Sequence, residues 1–272
     1  MKIKWIIGLG ALAVLTTSSL VSCNQGGNSE STGTDSVMVE EGGEIAVVPV
    51  DDSKQFPGAA LSIASITSEK VGADSAKITV KYNVENFELT AHTDDMNAEH
   101  MANSAEGQHI HFILDNTPYS ALYKPENSVV VPLNSDHYLL SFLSRSYHES
   151  IKEKDAAVLK HFNIDGDGKL TELDIPDEPA LFYSRPKGEY KGADTEKILL
   201  DFYLWNTDLS DGNKVQAQIN DTTFTLDRWG PYEIQNAPKG ELDITLSLIG
   251  ADGNALSGDN VSVNRKITLT EE

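Results

Sequence analysis

Two halves of this sequence carry the same short motifs in the same order. A seven-residue motif that begins at Gly72 is repeated from Gly192, 120 residues later. A longer motif that begins at Gly107 is repeated from Gly212, only 105 residues later. The first copy therefore carries about 15 extra residues between the two motifs. Self-similarity at a nearly fixed spacing predicts two tandem copies of one domain.

Each copy is built from short segments in which apolar and polar residues alternate. Alternation with a period of two is typical of β-strands that bury one face. Only residues 147–155 have a weak helical pattern. The strands predicted in the first copy are residues 61–67, 77–84, 108–114, 119–123, 128–131, 137–143 and 156–162. Seven short strands with frequent turns predict an all-β chain of two tandem immunoglobulin-like β-sandwiches.

The N-terminus has the features of a lipoprotein export signal. A basic start precedes an apolar stretch, residues 6–15, that is too short to span a bilayer. Leu20-Val21-Ser22-Cys23 resembles the lipobox of bacterial lipoproteins, in which signal peptidase II cleaves before the cysteine. The resemblance implies that Cys23, the only cysteine, carries fatty acyl chains such as palmitate. The protein is then expected in the cell envelope, anchored by lipid to the outer membrane on its periplasmic or surface face.

These patterns predict five segments. They are a signal peptide (residues 1–22), a flexible tether (23–56), a first sandwich (57–162), a linker (163–180) and a second sandwich (181–272). Within the tether, Pro49 restricts residues 45–50 to an edge strand at most. The formal net charge of −21 repels phosphate groups, which excludes nucleic acid as a partner.

The strand within residues 107–115 carries His109 and His111 on one face, with apolar residues at the alternate positions. The second copy has Lys214 and Gln216 at the corresponding positions, again between apolar residues. A side chain replaced by lysine in an equivalent strand does not face the core. The two histidines are therefore predicted to point away from the core of the first sandwich.

Residues 137–145, the predicted return strand of the first copy, align with residues 241–249 of the second. This alignment predicts an apolar outer face in the first copy and a polar one in the second. The predicted face consists of Ile113, Leu139, Ser141, Leu143 and Arg145. Because an exposed apolar face requires a cover or a partner, it predicts a ligand face for an unidentified small molecule or protein. The 15 extra residues are its predicted cover.

The histidine face also predicts a transition-metal site. His100 and Met101 lie in the extra segment, and His148 follows the return strand. Neutral imidazoles suit copper or zinc, and the thioether of Met101 favours Cu(I). The candidate ligands are therefore His100, Met101, His109, His111 and His148. A polar sheet face that is hydrogen-bonded to the covering segment is the alternative.

Twelve residues between the copies, 163–174, resemble an EF-hand calcium loop and more closely its dockerin variant. The resemblance implies a structural Ca²⁺ ion that stiffens the junction. Its ligands are then Asn163, Asp165, Asp167, Lys169 through its carbonyl, Thr171 and Asp174. A Gly-Asp-Gly turn in an acidic linker is the alternative.

Residues 59–162 resemble a family of uncharacterised Gram-negative lipoproteins that are labelled "phosphopeptide-binding protein". The resemblance rests on Gly107-Gln-His-Ile-His-Phe-Ile-Leu-Asp and on Leu139-Leu-Ser-Phe-Leu-Ser-Arg-Ser-Tyr-His-Glu-Ser-Ile-Lys. The latter is similar to the Ser-Arg-x-His-x-x-Ile segment of forkhead-associated domains, in which Ser and Arg contact phosphothreonine. Here one extra residue separates Arg145 from His148, which turns later side chains to the opposite face.

No nucleophile elbow, phosphate-binding loop, His-Glu-x-x-His motif or cysteine–histidine pair occurs in the sequence. The sequence therefore predicts a binding or structural lipoprotein rather than an enzyme. The alternative is a copper or zinc carrier, or a small metalloenzyme, that uses His100, His109 and His111.

Overall fold

Antiparallel β-strands make up nearly all the regular structure in residues 43–271, which are the residues that the computed structural model describes. In chain order the strands are β1 (Ala46–Pro49), β2 (Ala60–Val71), β3 (Ser75–Glu85), β4 (His109–Leu114), β5 (Ser120–Leu122), β6 (Glu126–Pro132), β7 (Ser135–Ser144), β8 (Ala157–Ile164), β9 (Leu170–Leu173), β10 (Ala180–Arg185), β11 (Gly188–Lys191), β12 (Lys197–Trp205), β13 (Lys214–Ile219), β14 (Thr222–Leu226), β15 (Tyr232–Gln235), β16 (Gly240–Ile249) and β17 (Ser262–Thr270).

One short helix, α1 (Met96–His100), and two 3-10 turns, Lys154–Ala156 and Gly192–Thr195, are the helical elements of this region. The first 3-10 turn is all that forms from the weak helical pattern of residues 147–155. No helix among the described residues is long and apolar enough to cross a membrane. The predictions for the signal peptide and Cys23 concern residues outside the described range.

The strands form two sandwiches with the same topology. In the first, sheet β2-β3-β6 packs on sheet β5-β4-β7-β8-β9. In the second, β10-β12-β15 packs on β14-β13-β16-β17, and β1 and β11 extend the two sheets at their edges. The strand orders correspond one to one except for β9, which has no counterpart in the second sandwich. The predicted all-β sandwich class is therefore confirmed, and the repeated motifs correspond to equivalent strands.

The repeated turn motifs share an unusual backbone conformation. Asn86 and Asn206 both have φ of 52°, while Gly107 and Gly212 have φ of 83° and 88°. Positive φ is costly for most residues but is tolerated by asparagine and glycine. The turn residues recur in the sequence because both copies need the same backbone at these points.

Two predicted segment boundaries are wrong. Residues 46–49 belong to the second sandwich, because β1 pairs with β15 from Ala46↔Gln235 to Pro49↔Tyr232. This strand lies at the edge of its sheet, as Pro49 requires. At the other boundary, β8 and β9 form a hairpin that belongs to the first sandwich. The linker is therefore limited to the few residues between β9 and β10.

The two sandwiches pack against each other through apolar outer faces. Ile113, Leu140 and Phe142 of the first sandwich form one buried cluster with Phe182 and Tyr203 of the second. The apolar outer face is thus covered by the second sandwich, and not by the 15 extra residues. That segment packs elsewhere, since its Met101 contacts Tyr147 and Leu199.

The return strand β7 has the opposite orientation to the one predicted. The ladder pairs Ile110 with Leu143 and Leu114 with Leu139, so Leu139 and Leu143 face the first core. Two equivalent hydrogen bonds show why the predicted orientation of β7 is wrong. Asp115 Oδ1 accepts the amide of Tyr138, and 105 residues on Asn220 Oδ1 accepts the amide of Asp243, each at 2.9 Å.

The two copies are therefore related by 105 residues along this strand, as they are at Gly107 and Gly212. Matching residues 137–145 to 241–249 was off by one residue. Since side chains alternate along a strand, a shift of one residue exchanges the two faces of the whole strand.

Candidate metal centre

Three histidines of the first sandwich converge where the two sandwiches meet. His109 and His111 leave β4 on the face opposite the core, and His148 lies in the turn that follows β7. The two Nε2 atoms are 2.9 Å apart, and His148 Nδ1 lies 3.0 Å from His109 Nε2. All three nitrogens lie within 4.8 Å of one another. Three nitrogens bound to one tetrahedral zinc ion at about 2.0–2.1 Å would be roughly 3.3 Å apart.

The outer nitrogens of His109 and His111 are held by hydrogen-bond partners. His109 Nδ1 lies 2.8 Å from the carbonyl oxygen of Gly107. A carbonyl only accepts, so Nδ1 carries the proton and Nε2 presents a lone pair to the centre. His111 Nδ1 lies 3.2 Å from the hydroxyl of Ser184, which belongs to β10 of the second sandwich. Partners of this kind orient the imidazoles of metal sites.

Gly107 cannot be replaced by a residue with a side chain, because a Cβ there would lie 2.3 Å from the carbonyl oxygen of Thr90. With a φ of 83° as well, only glycine fits. The residue that presents its carbonyl to His109 is therefore fixed by packing.

A tyrosine and two cations surround the histidines. Tyr119 stacks on His111 with ring centroids 3.6 Å apart, and its hydroxyl lies 3.1 Å from His148 Nδ1. Lys187 lies 3.7 Å above the same tyrosine ring and donates to the Tyr119 carbonyl at 2.6 Å. Burial, and then the nearby Arg185, lower the pKa of Lys187 to about 8. Tyr119 thus covers the centre from the first sandwich, and Arg185 and Lys187 approach it from the second.

All three imidazoles are neutral at pH 7. Burial lowers the pKa of His109 to about 4, despite the hydrogen bond to Gly107. Burial also lowers the pKa of His111 and that of His148 well below the usual value. Neutral imidazole is the form that binds a metal ion, so metal binding requires no net loss of protons from the three rings at neutral pH.

The backbone at His148 is in the left-handed region, with φ of 72°. The equivalent turn of the second copy has Gly253 at this position, with φ of 80°. The two turns have the same backbone hydrogen bond. The amide of His148 donates to the Arg145 carbonyl, and the amide of Gly253 donates to the Gly250 carbonyl, each at 2.9 Å. A histidine stands where the fold favours glycine. Strain of this kind costs about 1–3 kcal/mol and is typical of functional sites.

Two of the predicted metal ligands lie elsewhere. His100 is exposed on α1, and Met101 is buried against Tyr147 and Leu199. The predicted set is thus reduced to His109, His111 and His148, which form the one group of three or more His, Asp or Glu side chains that converges within residues 43–271. The sulfur that favoured Cu(I) is not part of it.

The predicted ligand face does not exist as a free surface. Leu139 and Leu143 lie in the first core, and Ser141 forms a hydrogen bond there with the Tyr82 hydroxyl at 2.7 Å. Ile113 lies in the contact between the sandwiches. These residues are buried because the two faces of β7 are exchanged relative to the prediction and because the second sandwich docks on the outer face.

Arg145 is likewise not available to a ligand. Its guanidinium is buried, forms an ion pair with Glu149 at 2.9 Å and donates to the Lys54 carbonyl at 2.6 Å. Burial raises the pKa of the Glu149 carboxyl in spite of this arginine. The segment that resembles a forkhead-associated domain therefore uses its arginine inside the fold.

The predicted calcium loop is a β-hairpin. Asn163 and Thr171 are directly opposite each other in the β8–β9 ladder. Asp165 closes the turn, because its Oδ1 accepts the amides of Asp167 and Lys169 at 2.9 Å each. Asp174 is not brought together with these carboxylates in the described part of the chain. Calcium binding at this turn stays a prediction, but the twelve residues do not wrap around one centre.

The sequence matches no protein-family model, and no curated protein is detectably similar to it. Among solved structures, it is similar to the fibronectin(III)-like modules of Clostridium thermocellum CbhA, with 12% identity, 78% of this chain and 94% of that chain covered, and a TM-score of 0.27.

A second similarity is to the extracellular domain of the putative hybrid two component system BT3049 from B. thetaiotaomicron, with 11% identity, 76% and 38% coverage and a TM-score of 0.27. A third is to dimeric latent PorU from Porphyromonas gingivalis, with 13% identity, 78% and 20% coverage and a TM-score of 0.26. The chain thus spans under two fifths of these two proteins. The fold assignment rests on the sheet topology described above.

Proposed function

We propose that this protein binds one zinc or copper ion through His109 Nε2, His111 Nε2 and His148 Nδ1. The observation that carries the proposal is the convergence of three buried, neutral imidazole nitrogens within 4.8 Å. Three histidines without a carboxylate or thiolate are a ligand set that suits these metals, and neither calcium nor magnesium.

The strained backbone at His148 supports the same conclusion. A packing role for this residue would not require a histidine at φ of 72°, since Gly253 forms the same turn in the second copy. The cost of the strained conformation is compensated if His148 supplies a ligand atom.

The site favours a firmly held ion over an open catalytic metal. His109 and His111 are fully buried, and the hydroxyl that supports His111 comes from the second sandwich. A bound ion would therefore stabilise the docked arrangement of the two sandwiches, because ligand binding to the folded state adds to its stability. We assign the protein a binding role and no catalytic step.

The N-terminal sequence supports an address in the cell envelope. Leu20-Val21-Ser22-Cys23 supports lipid attachment at Cys23, and hence a membrane partner through that lipid. Radiolabelled palmitate is expected to label the wild-type protein, and Cys23→Ala to abolish the label and release the protein from membranes. A labelled Cys23→Ala variant would refute lipid attachment at this residue.

The metal proposal is tested by elemental analysis of the secreted, untagged protein for copper, zinc and calcium together. We expect about one zinc or copper per chain, and loss of that metal in His109→Gln and His111→Gln. His161→Gln is the matched control, because His161 stacks on Tyr138 away from the centre. A wild-type protein free of both metals after growth in metal-supplemented medium, or unchanged metal in the two variants, would refute the site.

A further inference from the structure

A groove of about 780 Å³ lies between the two sandwiches, apart from the histidines. Its walls come from β2, from the residues before and within β8, and from the end of β12, and Trp229 closes one side. Its volume falls in the range of small-molecule sites, about 300–1,000 Å³, and such sites are common at domain junctions.

The groove contains both tryptophans of residues 43–271. Trp205 and Trp229 are half-buried and line it, while the only other tryptophan is Trp5 in the predicted signal peptide. The Trp229 indole is fixed, because its Nε1 donates to the Phe202 carbonyl at 3.3 Å. A fixed, partly exposed indole offers a flat apolar surface at low entropic cost.

The sandwich fold itself does not require these aromatic residues. Trp205 corresponds to Glu85, 120 residues earlier, and Trp229 corresponds to Lys124, 105 residues earlier. The first copy forms the same strands without an aromatic residue at either position. The two indoles are therefore confined to the second copy, where one side of each packs against the buried junction cluster.

Polar groups surround the indoles at the rim of the groove. Asp155, Asn206 and Asp208 are exposed there and can accept hydrogen bonds from hydroxyl groups. Two lysines also line the groove, but Lys152 is paired with Asp201 at 2.8 Å, and Glu85, Asp155 and Asp208 outnumber the remaining Lys154. The groove therefore carries a net negative charge, as the whole chain does at −21, and repels anionic ligands. Apolar flat surfaces flanked by acceptors match a pyranose ring, which has an apolar C–H face and a rim of hydroxyl groups.

We propose that this groove binds a neutral oligosaccharide, with sugar rings against Trp205 and Trp229 and hydroxyl groups bonded to Asp155, Asn206 and Asp208. The occupant is uncharged, because the carboxylates of the groove outnumber its lysines and would repel an acidic sugar. The site is independent of the metal centre.

The test uses the mature chain, in which Trp205 and Trp229 are the only fluorophores of their type. The probes are glycogen, dextran, laminarin, mannan and xylan, with polygalacturonate as the acidic control. We expect a saturable change in tryptophan emission with at least one neutral probe and none with polygalacturonate. Retarded migration in gels that contain that polysaccharide should accompany it.

Trp205→Ala and Asp208→Asn should each weaken binding at least tenfold. Trp205→Phe, which keeps a ring and the packing, should weaken it less. Tyr138→Ala, an aromatic residue of the junction outside this groove, should leave the affinity unchanged. Absence of binding to every neutral probe, binding that survives Trp205→Ala and Asp208→Asn, or binding only to polygalacturonate or a peptide digest would overturn the proposal.

Discussion

The two sandwiches have one topology but differ wherever they touch each other. The outer face of β7 in the first copy presents Phe142, where β16 of the second copy presents the partly exposed Ser247. His109 and His111 correspond to Lys214 and Gln216, and the strained His148 corresponds to Gly253. Shared features thus define the fold, and the features confined to one copy define the junction and its metal centre.

The largest effect is expected from the apolar junction. Phe142→Ala removes a fully buried ring that stacks on Tyr203 with centroids 5.3 Å apart. It should lower the free energy of unfolding by about 3–5 kcal/mol in urea titrations. Ser247→Ala at the equivalent position should change it by no more than about 0.5 kcal/mol. Equal effects of the two substitutions would show that the first copy's outer face is not a packed interface.

The second effect concerns pH and the metal-free protein. The pKa of His109 is about 4 in the folded state, against 6.5 as its ordinary value. Between these values the unfolded chain binds a proton that the folded protein does not. Stability is therefore fully present above pH 6.5 and falls as the pH decreases towards 4, by on the order of 3 kcal/mol for this residue.

His109→Gln should reduce that loss, as measured by the free energy of unfolding at pH 7 and pH 4 with a chelator present. Lys214→Gln, at the equivalent position of the second copy, should lose as much free energy of unfolding between pH 7 and pH 4 as the wild type does. An identical pH dependence in the wild type and His109→Gln would contradict the burial of a neutral His109.

A smaller effect is expected from the partner across the junction. Ser184→Ala removes the hydroxyl beside His111 Nδ1 and should weaken zinc or copper binding by roughly 10–100-fold, as loss of an outer hydrogen bond does in metal sites. Ser141→Ala removes a hydroxyl on the opposite face of the same sheet and should leave the affinity unchanged. Isothermal titration of chelator-stripped protein measures both, and equal affinities for the wild type and Ser184→Ala would exclude the second sandwich from the site.

The sequence predicted the strands and the repeat well because both depend on local patterns. Alternation located β2 to β8 within a few residues, and the repeated turns correspond to positions of positive φ. Alternation also predicted that His109 and His111 face away from the first core. These inferences required no knowledge of how distant segments pack.

The orientation of β7 could not be predicted in the same way. Tyr138-Leu-Leu-Ser-Phe-Leu is apolar at nearly every position, because one face lies in the core and the other in the junction. A strand buried on both faces has no alternation to fix its orientation. Two hydrogen-bonded asparagine or aspartate turns, at Asp115 and Asn220, settle the register instead.

The composition of the metal centre was predictable in part. The alternation of one strand predicts that His109 and His111 lie side by side, and the position of His148 after β7 makes it a candidate ligand. Ser184, Arg185 and Lys187 were missed, because they reach the centre only when the second sandwich docks. His100 and Met101 were included because they are near in sequence, and α1 carries them to another surface.

His148→Gly is the most direct test of the claim that one copy was adapted to hold a metal ion. The glycine reproduces Gly253 of the second copy and relieves strain of about 1–3 kcal/mol, which offsets the loss of the buried imidazole. The metal-free variant should therefore be no more than about 1 kcal/mol less stable than the wild type. At the same time His148→Gly should abolish the bound zinc or copper in the purified protein and weaken binding in titrations at least a hundredfold. A His148→Gly protein that retains the wild-type metal content and affinity would contradict the metal site.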